Sequence, residues 1–142
     1  MNAVPDDSLQ LVAPVTTRHL DSLMALFAQT WWARDREYRR VERTLSTAPV
    51  TVGLADQDGQ LVAFARAVTD HEFKALVLDV VVDSGRRNEG LGQHVVQALL
   101  DHPALSQVDD IELYCEPGLV GYYKRLGFDE PDRTRFLRRT RP

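Results

Sequence analysis

One stretch limits what this chain can fold into more than any other: Leu76-Val77-Leu78-Asp79-Val80-Val81-Val82-Asp83-Ser84-Gly85-Arg86-Arg87-Asn88-Glu89-Gly90-Leu91-Gly92. Residues 76 to 82 are β-branched or leucine apart from Asp79, which suits a strand buried on both faces. A glycine-bearing turn follows, and then Leu91, Val95, Val96 and Leu99 recur at the spacing of one helix face. The order is strand, loop, helix. Gly90 and Gly92 fall at the helix start, where the first amides have no partner inside the helix and no bulky side chain shields them. Such an end attracts an anion.

Two common phosphate loops do not fit it. A nucleotide P-loop requires lysine and a hydroxyl after its last glycine, and neither follows Gly92. A dinucleotide fingerprint requires a third glycine where Val95 stands. The pattern that remains, Arg87-x-x-Gly90-x-Gly92 behind Val80-x-Val82, resembles the acyl-CoA pyrophosphate loop of the GCN5-related N-acetyltransferases. A second stretch, Gly121-Tyr122-Tyr123-Lys124-Arg125-Leu126-Gly127-Phe128, is similar to the Phe-Tyr-x-x-x-Gly-Phe ending of the fourth helix in that family. The two patterns occur in the family's order with one strand between them. Trp31-Trp32-x-x-Asp35-Arg36, Ala63 to Asp70 and His102-Pro103 are similar to small bacterial members of undefined substrate.

The rest of the chain supplies the elements such a fold needs. Residues 8 to 15 begin with period-two alternation and predict a first strand. Thr17 is a candidate cap for a helix with Leu20, Leu23, Leu26 and Phe27 on one side. A second helix is expected from Asp35 to Leu45, with Tyr38, Val41 and Leu45 inward and Arg36, Arg39, Arg40 and Arg43 outward. Val50 to Asp56 and Leu61 to Thr69 predict a hairpin around Gln57-Asp58-Gly59-Gln60. After the helix of residues 90 to 100, Ile111 to Tyr114 predicts a short strand and Pro117 opens a last helix. Residues 133 to 139, around Phe136 and Leu137, predict a closing edge strand. This is a mixed α/β sandwich. The resemblance implies a mostly antiparallel central sheet with helices on both faces and strands 4 and 5 splayed.

A chain of 142 residues fits one domain spanning residues 1–142. No apolar run approaches the roughly 18 residues that cross a membrane, and the N-terminus carries no signal peptide, so a cytoplasmic protein without membrane attachment is expected. The lone Cys115 excludes an internal disulfide and fits a reducing compartment. His19, His71, His94 and His102 lack ligand spacing, and no metal is expected. The formal charge of −4 argues against nucleic-acid binding. The arginines at 133, 135, 138, 139 and 141 read as a solvated terminus, because no aromatic ladder accompanies them.

The resemblance implies an acetyl-CoA-dependent N-acetyltransferase acting on a primary amine of a small molecule or protein, as a monomer or homodimer, by direct attack on the thioester. The alternative it leaves open is an acyl-CoA-binding domain of the same fold without turnover. It implies that backbone groups of Val80, Val81 and Val82 receive the pantetheine arm, and that Arg87, Asn88, Glu89, Gly90, Leu91 and Gly92 receive the pyrophosphate. Tyr123 then protonates the departing thiolate, or else it packs in the helix face. Asp79 is either a catalytic base or one half of a structural pair with Arg66, since an unpartnered carboxylate in an apolar strand is costly. Trp32, Arg34, Arg66 and Asp70 come from segments that border the acceptor cleft in that family. Cys115 reads as structural. The sequence departs from the family pattern at Asn88-Glu89, at Ser84 and at Glu116.

Overall fold

The structure, a computed structural model, describes residues 7–47 and 49–142. Its framework is the hairpin of β2 (Val50–Ala55) and β3 (Leu61–Thr69), antiparallel from Val50 opposite Ala67. The turn between them forms because the Asp56 carboxylate accepts the amides of Asp58 and Gln60, and Gly59 supplies a φ of 80°. β1 (Gln10–Val12) adds to the outer edge of β2 and ends before Pro14, which has no amide to donate. It is shorter than the alternation over residues 8 to 15 predicts.

The sheet runs β1-β2-β3-β4-β5, with β4 (Lys74–Val82) antiparallel to β3 and β5 (Asp110–Glu112) parallel to β4. Helix α1 (Leu20–Phe27) and helix α2 (Tyr38–Ser46) cover one face. There Leu20, Leu23, Leu26, Phe27 and Val41 pack on Leu61, Phe64 and Val81. Helix α3 (Leu91–Leu100) covers the other, with Leu91, Val95 and Leu99 on Val52, Ala63, Ala65, Ala67 and Val77. The run of alanines on one side of β3 lets α3 approach closely. Each fully buried leucine or valine contributes about 1.5–3 kcal/mol. Helix α4 (Val120–Lys124) follows a 3₁₀ turn at Pro117–Leu119, and Gly127, with φ 96°, ends the helical segment.

Several boundaries differ from those read in the sequence. Thr17 does not cap α1: Thr17–His19 is a 3₁₀ turn capped by Thr16, whose amide donates to His19 Nδ1, and His19 is the cap of α1. α2 starts at Tyr38, which is exposed while Val41 is buried. The β4 face toward α1 is only half-covered at Leu76 and Leu78, so the strand is not buried on both faces. The expected edge strand at residues 133 to 139 does not form. From Asp129 onward the chain is exposed, without helix or strand, and Phe136 stacks on Tyr114 at 4.5 Å between ring centroids. Four arginines among those seven positions leave too little apolar surface to hold a strand on the sheet.

Candidate active site

The site begins with one extra residue in β4. Arg66 lies opposite Leu78, but Phe64 lies opposite Val81, so two steps along β3 match three along β4. The excess is absorbed at a β-bulge where Asp79 takes a φ of 58°. A non-glycine residue in this region costs about 1 kcal/mol or more, so the surroundings must hold it there. The bulge reverses the strand's alternation. Ala75 and Val77 point into the α3-side core before it, Val80 and Val82 pack against that same core after it, and Val81 goes to the α1 side.

The bulge turns the Asp79 side chain, 6% exposed, onto the α1 side between two arginines. Arg36 donates to both its oxygens at 2.7 and 2.9 Å, and Arg66 Nε donates to Oδ2 at 2.6 Å. Burial pushes the Asp79 carboxyl upward, but the Arg36 hydrogen bonds and the Arg66 charge outweigh it, holding the group below the ordinary carboxylate range. A carboxylate so held is a weak proton acceptor, and the geometry favours the structural pair over the base. The pairing of Asp79 with Arg66 expected from sequence is present. Arg36, read as an outward residue of α2, is instead the bidentate partner. Its guanidinium lies 4.9 Å from the Phe27 ring centroid and 5.5 Å from that of Trp32. The one readable sign of this was the single carboxylate in an apolar strand, which demands more cation than one neighbour supplies.

Beyond the bulge the sheet opens. β4 and β5 pair only from Lys74–Asp110 to Leu76–Glu112, so the backbone edge of Val80, Val81 and Val82 has no strand beside it on that flank. Ile111 and Leu113 pack on the α3-side core, which puts Glu112 between them on the α1 side.

The loop after β4 is held from both ends. The Asp83 amide donates to Val62 O at 2.8 Å, and Gln29, just past α1, donates to Asp83 Oδ1 at 2.8 Å while accepting the Ser84 amide at 2.7 Å. Sequence reading gave no sign of this clamp. Asn88 and Gly90 take φ values of 66° and 78°, turning the chain into α3. The amides of Leu91, Gly92 and Gln93 have no acceptor inside the helix, and among the described residues no loop group takes them. Arg87, Asn88, Glu89 and Gly90 are exposed around them. A Cβ on Gly92 would stand 2.9 Å from the Tyr122 hydroxyl, so glycine there permits α4 to close over the helix start. Glu89 pairs with Arg86 at 3.0 Å, which offsets the carboxylate that the sequence sets beside this anion site. These donors suit a pyrophosphate, and the open edge suits an extended amide-bearing arm.

Tyr123, 9% exposed, lies between the rings of Tyr122 and Phe128. Burial, with smaller contributions from Tyr122 and Cys115, pushes its phenol up to about 12. The hydroxyl is therefore protonated throughout the neutral range. Cys115 is half-buried on this side, its thiol pushed up chiefly by burial and then by Glu130 and Glu116, so it is a poor nucleophile. Across the seam, the Trp31 indole donates to Glu116 Oε1 at 2.8 Å, tying the α1–α2 loop to the segment that leads into α4.

The expected acceptor residues divide. Trp32 and Arg66 belong to the Asp79 cluster. Arg34 is exposed and outside it. Asp70 builds the β3–β4 turn, with Oδ1 accepting the amides of Glu72, Phe73 and Lys74, which lower its pKa. It edges a shallow hollow of about 440 Å³ lined by Val68, Lys74, Leu76 and Glu112. Among the described residues no group of three or more His, Cys, Asp and Glu could hold a metal, and no helix is long and apolar enough to cross a membrane.

The chain is similar to known proteins in sequence and in fold. A rice protein named serotonin N-acetyltransferase 2, chloroplastic (Oryza sativa subsp. japonica), is 40% identical over 119 residues, covering 80% of this chain and 58% of its own. GCN5-related N-acetyltransferase 1, chloroplastic, of Arabidopsis thaliana is 34% identical over 128 residues, covering 87% of this chain and 64% of its own. The chain thus spans about three fifths of the length of both. A solved aminoglycoside N-acetyltransferase in complex with CoA superposes with a TM-score of 0.74 at 17% identity, over 96% of this chain and 99% of that one, which establishes the fold. The sequence model of the acetyltransferase (GNAT) family matches residues 18–128, most of the chain, and the chain belongs to the GNAT acetyltransferases.

Proposed function

We propose that the chain is an acetyl-CoA-dependent N-acetyltransferase that acylates a primary amine of a small molecule or protein. The observation that carries this is the seam: β4 leaves β5 after Leu76, so the backbone of Val80 to Val82 is free on one edge just before the donor-rich start of α3. Both donor sets belong to backbone, which explains how Asn88, Glu89 and Ser84 are tolerated. The phosphate-bearing half of acetyl-CoA fits the amides of Arg87 to Gly92, and its pantetheine arm fits the open edge. Bound there, it supplies an activated acyl thioester.

The residues of the chain then have separate tasks. A free edge amide at the bulge is preorganised to receive the oxyanion that forms on attack. Tyr123 holds a proton that can pass to the departing sulfur, because its phenol stays protonated. Asp79, with Arg36 and Arg66, fixes the bulge and hence the spacing of those amides. The lone cysteine supports work in a reducing compartment such as the cytosol.

The experiment is thiol release from acetyl-CoA with a panel of amines, repeated with Tyr123→Phe. The variant keeps the ring and removes the hydroxyl, so CoA affinity should change by less than about twofold while kcat falls by about 10²-fold or more. An unaltered kcat on a confirmed acceptor would return Tyr123 to a packing role. No thiol release with any amine would leave a CoA-binding domain without turnover.

A further inference from the structure

We infer that Glu116, with Trp31, is the seat for the acceptor's ammonium group, and that the acceptor is a primary alkylammonium carried on an aromatic body. This rests on the acetyltransferase reading of the same seam.

Its contacts place Glu116 there. Glu112 pairs with Leu76 at the last rung of the parallel ladder, and Glu116 follows beyond that end, where it meets Trp31, the chain neighbour of the Trp32 ring that packs on Arg36 of the Asp79 cluster. The Trp31 hydrogen bond at 2.8 Å, from the loop after α1, sets its facing.

Charge narrows the choice. Of the carboxylates that β4 and β5 present on this face, Asp79 is held by two arginines, and Asp110 and Glu112 share Lys74 at 3.1 and 3.4 Å. Glu116 forms no ion pair among the described residues. Its Oε1 takes the indole N–H, and its Oε2 remains open to a cation. A side chain whose one oxygen is fixed by a neutral donor loses little freedom on binding. Trp31 is 69% exposed, and because it meets the carboxylate by its edge, its ring faces stay available. A cation beside Glu116 therefore lies next to an aromatic surface that attracts it, and an aromatic body can stack there.

The test compares tryptamine with 3-ethylindole, which has the same ring and no ammonium, as ligands of the full chain saturated with CoA. Binding of both is measured by calorimetry for the wild type, Glu116→Gln and Trp31→Phe. The wild type should prefer tryptamine by about tenfold or more, as expected for one charge-assisted hydrogen bond plus a cation–π contact. Glu116→Gln should reduce that preference to about twofold or less, and Trp31→Phe to an intermediate value, with CoA affinity preserved in both. Equal preference in Glu116→Gln, no preference in the wild type, or a parallel loss of CoA affinity would each overturn the assignment. Binding is read without turnover, so the outcomes separate. Glu116-dependent tryptamine binding without thiol release on any amine would retain the seat and reject the enzyme. Thiol release that ignores Glu116→Gln would do the reverse.

Discussion

Asp79 links chemistry to stability at the level of a single side chain. Its carboxylate joins α2's approach, through Arg36, to β3, through Arg66, and it is nearly inaccessible to water. Asp79→Asn keeps the shape and removes the charge, leaving two guanidiniums facing each other. It should lower unfolding stability by about 3 kcal/mol in a urea titration, the range for breaking a buried pair by removing one partner. The same residue sets an acid limit. Its folded-state pKa lies below the unfolded value of about 4, so its stabilisation is complete above that pH and is lost as pH falls through the folded value. The wild-type urea midpoint should therefore fall below about pH 4 more steeply than that of Asp79→Asn. Gly90 is a second such point. Gly90→Asp puts a side chain at φ 78° and a negative charge beside the free amides of α3. Space is open around it, so the fold should survive, and calorimetry should show CoA affinity lower by at least about tenfold.

Between elements, the clamp made by Gln29 is the contact on which the loop's position depends. It joins the end of α1 to Asp83 and Ser84, so the segment carrying Trp31 and Trp32 and the segment facing the phosphates share one side chain. Gln29→Ala should raise the KM for acetyl-CoA several-fold and leave kcat within about twofold, since the loss falls on ground-state binding of the phosphates. An unchanged KM in steady-state assays would show that the loop holds itself. Elements of this kind differ in how far the sequence discloses them. The β2–β3 hairpin and α3 were legible because alternation and a helical stripe are local signals, and the start of α3 was legible from its two glycines. The Asp79–Arg66 contact was legible from the cost of burying a charge. Arg36, Gln29 and the Trp31–Glu116 bond were not, because each spans more than forty residues and its polar side chain looks locally like surface. The edge strand expected near Phe136 failed because a strand needs a covered face, and one aromatic stack does not provide it.

Across the molecule the C-terminal residues add little to the fold. Removing residues 133 to 142 deletes the stack on Tyr114 and the Arg138 contacts with Tyr114 and Phe136, and it exposes no buried core. Differential scanning calorimetry should show a drop in Tm of no more than a few degrees, equivalent to about 1 kcal/mol. A loss of cooperative unfolding would mean that the tail completes the domain. The parallel ladder between β4 and β5 has a further consequence. Among the described residues the strand pairing that joins the sheet to the segment carrying Tyr123 is short, Lys74 to Leu76 with Asp110 to Glu112, helped by the Asp109 and Asp110 amides on Glu72 O and Phe73 O and by the packing of Ile111 and Leu113. Opening those few bonds, with the Trp31–Glu116 tie, frees that segment without disturbing the hairpin or the loop before α3. In deuterium exchange, amides from Ile111 to Phe128 should label through a partial opening of lower free energy than the one that exposes β2 and β3. Bound CoA, spanning both sides of the stitch, should slow that labelling more than any other, so the reactant that enters the seam also acts as its suture.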